Sequence, residues 1–197
     1  MTLTGLGGNI YTLDKTPIGR GGEGEVYGIR GTDQVAKVYG DGFLTRELEA
    51  KLRVMIECPP NVSVLSQVAW PLDLAFDGGG QCRGFVMPKL GITHELGEIY
   101  KYPLHLPLTA RQKLGVAQNI CVVISEVHRA GYVFGYFNPR NIGFDINTGL
   151  VSFLDTDTYH VHDRTSGTST TGRIRTVHCA KRTRGLRLLL AGIRQCV

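Results

Sequence analysis

Between Asn138 and Asp157 the sequence leaves the backbone few choices. Asn138, Pro139 and Asn141 stand just before an apolar segment carrying Ile142 and Phe144. Asn147, Thr148 and Gly149 follow, and then Val151 to Leu154, which stops abruptly at Asp155 and Asp157. Two short apolar runs on either side of turn-forming residues predict a hairpin. A hairpin brings its outer ends together, so the Asn141 amide and the Asp155 carboxylate are delivered to nearly the same place. An amide and a carboxylate so paired suit a hard divalent cation shared with phosphate oxygens.

Upstream, Ile10 to Leu13 reads as a short strand, and Gly19, Gly21 and Gly24 fall two and three residues apart ahead of Val26. Backbone without Cβ atoms can close over phosphates. A dinucleotide-binding turn would enter a helix directly after its glycines, whereas Val26 to Ile29 continues as a strand. A turn at residues 31–33 then precedes Gln34 to Tyr39, an alternating strand that carries the triplet Val35-Ala36-Lys37. A helix is predicted from Thr45 to Glu57, with Thr45 as N-cap and Leu48, Leu52, Met55 and Ile56 as its apolar stripe. At 100° per residue Glu49 lies about 75° from the centre of that stripe and Glu47 about 125°, so Glu49 is the acid expected to point inward. Pro59 and Pro60 end this helix. Val68 to Phe76 and Arg83 to Met87 flank Asp77-Gly78-Gly79-Gly80-Gln81 as a second hairpin. Thr109 to Arg129 is predicted as a long helix with a Thr109/Gln112 capping box, burying Leu114, Ala117, Ile120, Ile124 and Val127 and stopping at Gly131. The stretch from Thr93 to Pro107 carries no pattern that assigns it.

The run His128-Arg129-Ala130-Gly131, then Gly135-Tyr136-Phe137-Asn138-Pro139-Arg140-Asn141, a hairpin and Leu154-Asp155-Thr156-Asp157 resembles the catalytic and metal loops of protein-kinase-like domains. It is most similar to a bacterial branch that writes them G-D-x-N-P-x-N and D-T-D and is sometimes joined to helix-hairpin-helix DNA-binding modules. With the glycine turn and the strand lysine, the resemblance covers roughly residues 10–161. It implies an α+β fold: a five-stranded antiparallel small lobe over residues 1–88 and an incomplete, mainly helical large lobe over residues 89–163. It implies ATP with Mg²⁺ or Mn²⁺ as cofactor. Gly19, Gly21, Gly24, Val26, Ala36 and Met87 would contact the nucleotide, Lys37 its α- and β-phosphates, Glu49 would hold Lys37, and Asn141 and Asp155 would each take a metal ion. The position of the proton-accepting Asp is occupied by Tyr136, which implies an impaired kinase. The competing reading is an active Ser/Thr-type enzyme that uses Asp157 as its carboxylate. His128 and Arg129 are read as loop-packing and helix-end residues.

Charge divides the chain. Residues 1–163 hold 14 Lys/Arg against 17 Asp/Glu, a net of −3, while residues 164–197 hold 8 Lys/Arg and no acid. The Ser/Thr/Gly/Arg-rich stretch after Asp163 is expected to be disordered, and the residues after it do not offer the amphipathic helices of a full large lobe. Sequence out of frame with the domain is the favoured reading of this tail. A natural ending and a nucleic-acid-binding arm compete with it. Five cysteines without short paired spacing (Cys58, Cys82, Cys121, Cys179, Cys196) argue against a zinc site or a secreted disulfide framework. No apolar run is long enough for a membrane span and no leader is evident. A cytoplasmic protein that binds nucleotide and a protein substrate or regulatory partner is therefore expected.

Overall fold

The computed structural model describes residues 1–100, 106, 108–135 and 137–161. Tyr136, expected at the position of the proton-accepting Asp, and the tail from residue 164 onward lie outside the described residues.

One antiparallel sheet organises the first half of the chain. Its strands are β1 (Thr2–Thr4), β2 (Ile10–Thr12), β3 (Gly19–Arg20), β4 (Gly24–Gly28), β5 (Gln34–Tyr39), β6 (Asp73–Phe76) and β7 (Cys82–Pro88), in the order β2-β1-β6-β7-β5-β4-β3. The expected count of five is therefore corrected to seven. Thr2–Thr4 pairs with Ile10–Thr12 and extends the sheet edge, and Gly19–Arg20 pairs with β4. Both added strands are too short to show alternation. Residues 68–72, expected as strand, lie outside β6. Val68 instead bridges Phe153 in parallel, and Pro71 has no N–H to give a ladder.

Alternation along β5 sorts the sheet into two faces. Val35 and Tyr39 join Leu74, Phe85 and Met87 in the main core, while Ala36 joins Leu3, Leu13, Ile29, Ala75 and Val86 in a smaller cluster. Helix α1 (Arg46–Glu57) is capped by Thr45, whose side chain accepts from the Leu48 N–H, and buries Leu52 and Met55. A short turn of helix, α2 (Val62–Leu65), follows.

The second half is built on β8 (His94–Glu95), α3 (Ala110–Arg129), β9 (Tyr132–Val133), β10 (Ile142–Phe144), β11 (Val151–Phe153) and β12 (His160–Val161). The anticipated hairpin is β10-β11, with β8 added from the stretch that had no sequence assignment. In its turn Gly149 has φ +72°, a left-handed conformation that suits glycine, and its N–H reaches the Asp145 carbonyl at 2.7 Å. Strands β9 and β12 pair, setting residues 133–135 against residues 158–160. Among the described residues no helix is long and apolar enough to cross a membrane.

Helix α3 has the expected capping box, and its expected face holds at Val127, which is buried, and at Ile120 and Ile124, which pack against the core, but not at its N-terminal end. Val116, Val123 and Val127 are inside, whereas Leu114 is 59% exposed and Ala117 is also exposed. Residues 116, 123 and 127 lie within about 40° of one another around a helix, and Leu114 falls on the opposite side. The helix carries apolar residues beyond its buried side, so periodicity placed Ile120, Ile124 and Val127 correctly but rotated the stripe far enough to include Leu114 and Ala117. The buried side faces β9 and β11.

Trp70 is the largest fully buried side chain. Its Nε1–H donates to the Met55 carbonyl at 3.0 Å, and its ring meets that of Tyr132 edge-on at 4.7 Å. Trp70→Ala is expected to cost about 3–5 kcal/mol. Leu114→Ala, at the position that the sequence pattern places in the core, is expected to cost under about 0.5 kcal/mol. Urea denaturation of the two variants checks both values.

Candidate functional site

A cleft of about 510 Å³ lies between the glycine turn, the inner face of the large sheet and the loop that follows β11. Its walls include Gly19, Gly21, Gly24, Val26, Lys37, Met87, Asn141 and Asp155. With Asp157, which also lines the cleft, nine sequence-predicted positions, up to 138 residues apart in the chain, are thereby brought together.

The glycine turn is a tight antiparallel ribbon. Gly19 pairs with Val26 and Arg20 with Glu25, the Gly21 N–H donates to the Gly24 carbonyl at 2.9 Å, and the Glu23 carbonyl accepts from Gly40 at the end of β5. Gly24 is fixed by close approach, because a Cβ there would lie 2.3 Å from the Val38 carbonyl oxygen. At the tip, a Cβ on Gly22 would meet nothing within 4 Å, so the space beside it is open.

Asn141 and Asp155 are juxtaposed by register. Ile142 pairs with Phe153, which sets Asn141 opposite Leu154, and the Leu154 N–H donates to the Asn141 carbonyl at 2.8 Å. The chain then turns sharply: Asp155 has φ 51° and ψ 45°. It is the only non-glycine residue with positive φ among those described. Asp tolerates this region better than most residues, but at a cost. The Asp155 carbonyl accepts from the Thr158 N–H and hydroxyl, and the Thr156 hydroxyl donates to the Ala69 carbonyl at 2.5 Å. These bonds lock the turn and leave the Asp155 carboxylate 46% exposed at the cleft.

Lys37 lies under the cleft with its side chain 11% exposed. Its ammonium sits 2.7 Å from Asp157 Oδ2 and 3.4 Å from Asp155 Oδ1. Burial works against its charge, but Asp157, Asp155 and Glu23 outweigh burial and hold its pKa above the ordinary lysine value.

Three expectations about the site are corrected. The resemblance implies that Glu49 holds Lys37, yet its carboxylate pairs with Arg53 one turn along the same helix at 2.6 Å, an i,i+4 partner within easier reach. The resemblance implies that Ala36 contacts the nucleotide, but strand alternation turns it to the opposite face of the sheet from Lys37, where it is fully buried beside Val86. Asp157 was a candidate carboxylate for proton transfer. It lines the floor of the cleft, but its side chain is 2% exposed and Oδ2 accepts from both Lys37 and the Tyr39 hydroxyl, so the carboxylate is engaged by the protein.

Two partners of this cluster were not anticipated. Tyr39 follows Lys37 by two residues and shares its strand face, a relation legible in the sequence. Lys51, on α1, donates from Nζ to the Asp157 backbone carbonyl, and a helical lysine gives no signal that it points inward. Burial pushes the Tyr39 phenol well above its ordinary pKa, and the charge of Asp157 adds to this, so Tyr39 remains a neutral donor. Burial lowers the pKa of Lys51. His128, at the end of α3, stacks edge-on against Phe134, and Arg129 pairs with Glu126.

The residues present fit a nucleotide with a divalent ion. The volume lies in the range of about 300–1,000 Å³ common to small-molecule sites, Lys37 supplies a cation, and Asn141 and Asp155 supply hard oxygens. Among the described residues no three His, Cys, Asp or Glu side chains converge as a metal site. An ion held here would complete its shell with phosphate oxygens and water.

No protein-family model matches the chain, and no curated protein matches it. Among solved structures, that of vaccinia related kinase 3 superposes with a TM-score of 0.61 at 18% identity, covering 87% of this chain and 54% of that one. The chain therefore spans about half the length of that kinase structure. At this identity the likeness establishes the fold, which is protein-kinase-like.

The strain at Asp155 is testable. Asp155→Val, with a β-branched residue at positive φ, is expected to destabilise the protein by about 1–3 kcal/mol. Asp155→Gly is expected to stay within about 1 kcal/mol of the parent. Chemical denaturation of the two variants distinguishes backbone strain from loss of the carboxylate, which both share.

Proposed function

We propose that this chain is a kinase-like domain that binds ATP with Mg²⁺ or Mn²⁺ and is impaired in phosphoryl transfer. The observation that carries the proposal is the convergence of the glycine turn, Lys37, Asn141 and Asp155 on one cleft. ATP and the metal ion, when bound, supply the activated phosphoryl group and the charge that offsets its oxygens.

The protein's own part is binding and orientation. Lys37 serves the α- and β-phosphates as a point charge, and the free N–H groups at the tip of the glycine turn close over the phosphates. Asn141 and Asp155 hold the cation. Val26 and Met87 form apolar walls for the base. Tyr136 occupies the position of the proton-accepting Asp, and a phenol with an ordinary pKa of about 10 does not take a hydroxyl proton at neutral pH. The burial of Asp157 against Lys37 weighs against the alternative of an active kinase that uses it as base. On this reading the domain acts in regulation through a protein partner.

Calorimetric titration of MgATP tests binding. Measurable affinity is expected, weakened by EDTA and by at least about tenfold when Lys37→Ala and Asp155→Ala are combined. No binding by the folded parent, or binding indifferent to the double substitution, overturns the proposal. Radiolabel transfer from ATP to itself or to a generic protein is expected near background. Robust transfer by the unmodified chain would remove the impaired reading while leaving nucleotide binding intact.

A further inference from the structure

We propose that Asp157, supplied by the loop after β11, is the positioning residue that orients Lys37 toward the nucleotide phosphates, and that α1 provides no carboxylate for this task. The inference rests on the ATP-binding reading of the cleft and specifies how its lysine is held.

The acids around Lys37 differ in what they can do. Asp157 Oδ2 is nearest, at 2.7 Å and almost wholly shielded from solvent. Asp155 is farther, at 3.4 Å, and substantially exposed, so water competes for it, as does any cation that it binds. Glu23 lies in the glycine turn and acts on the lysine only through its charge. Glu49 is occupied by Arg53. Among the described acids, only Asp157 combines hydrogen-bond contact with burial, the conditions under which an ion pair fixes geometry.

Asp157 is itself held from two sides. The Tyr39 hydroxyl donates to the same Oδ2, and the Lys37 ammonium lies 5.2 Å from the Tyr39 ring centroid. Lysine, carboxylate and phenol therefore form one cluster on the inner face of β5. The backbone carbonyl of Asp157 accepts from Lys51 of α1. The helix thus reaches the lysine indirectly: α1 anchors the loop by a cation, and the loop holds Lys37 by an anion. One or two ammonium protons are committed to Asp157 and Asp155, which leaves at least one for a ligand in the cleft that Lys37 lines.

The test compares MgATP with adenosine, which lacks phosphates, as calorimetric titrants of the full chain. Asp157→Asn and Lys37→Ala are each expected to weaken MgATP by about tenfold or more, with adenosine affinity unchanged. In the Lys37→Ala background Asp157→Asn is expected to add less than about twofold, because a residue acting only through the lysine has nothing left to act on. Glu49→Gln is expected to bind MgATP like the parent.

Parent-like MgATP affinity in Asp157→Asn overturns the proposal. So does an effect of that substitution that persists undiminished without Lys37, or a Glu49→Gln loss equal to that of Lys37→Ala. If circular dichroism shows Asp157→Asn unfolded, Tyr39→Phe and Glu49→Gln decide. Selective weakening of MgATP by the first with no change in the second upholds the proposal, and any other result overturns it. A parent that binds no MgATP fails the nucleotide reading as a whole. A parent that binds it through Lys37 but without regard to Asp157 fails this inference alone.

Discussion

The structure depends on the four residues Gln67 to Trp70, which tie the large sheet to everything after it. The Phe153 N–H donates to the Gln67 carbonyl at 2.7 Å and the Ala69 N–H to the Phe153 carbonyl at 2.8 Å, so this segment acts as a neighbouring strand to β11. The Gln67 side chain donates to the Val151 carbonyl and to Asn119 of α3, and the Asn119 oxygen also accepts from the Val151 N–H. These buried polar groups have partners, and a lost partner would leave an amide desolvated at a cost of about 1–3 kcal/mol. Three elements distant in sequence are thereby fixed in one register.

That junction also sets the chemistry. The Ala69 carbonyl holds the Thr156 hydroxyl, and Trp70 holds the end of α1 through Met55. The turn at Asp155 and the helix bearing Lys51 are therefore referred to the same four residues. Asp155 keeps its unfavourable φ because bonds on both sides over-determine it. An exposed carboxylate at Asp155 and a buried one at Asp157 result from a single turn, and their environments differ: the first is open to the cleft and the second is buried against Lys37.

Much of this was legible locally. The hairpin between Asn141 and Asp155 follows from apolar runs and a turn, and its register follows from strand geometry. The caps at Thr45 and Thr109, the glycine turn and the alternation of β5 were equally plain. The resemblance to kinase-like domains rested on such local signatures, and the structural likeness supports the fold that it implied. The failures share a cause. Glu49 and Leu114 were placed by helical periodicity, which ranks faces by composition and does not see what packs against them. Arg53 could reach Glu49 from the same helix, and β9 and β11 chose the Val116 side of α3. Ala36 was assigned by motif although alternation placed it on the face away from Lys37.

The sequence by itself determined which residues meet when their separation is short or their element regular, because backbone geometry converts spacing into direction within a strand, a turn or a hairpin. It therefore settled that Asn141 and Asp155 converge and that Val35, Lys37 and Tyr39 share a face. Only the tertiary structure decided the partners of Lys37, since Asp157 lies 120 residues away and its burial depends on the joint packing of β5, α1 and the loop after β11. Electrostatic pairing falls off with distance and solvent exposure, and neither quantity is written in a sequence until the chain has folded around it.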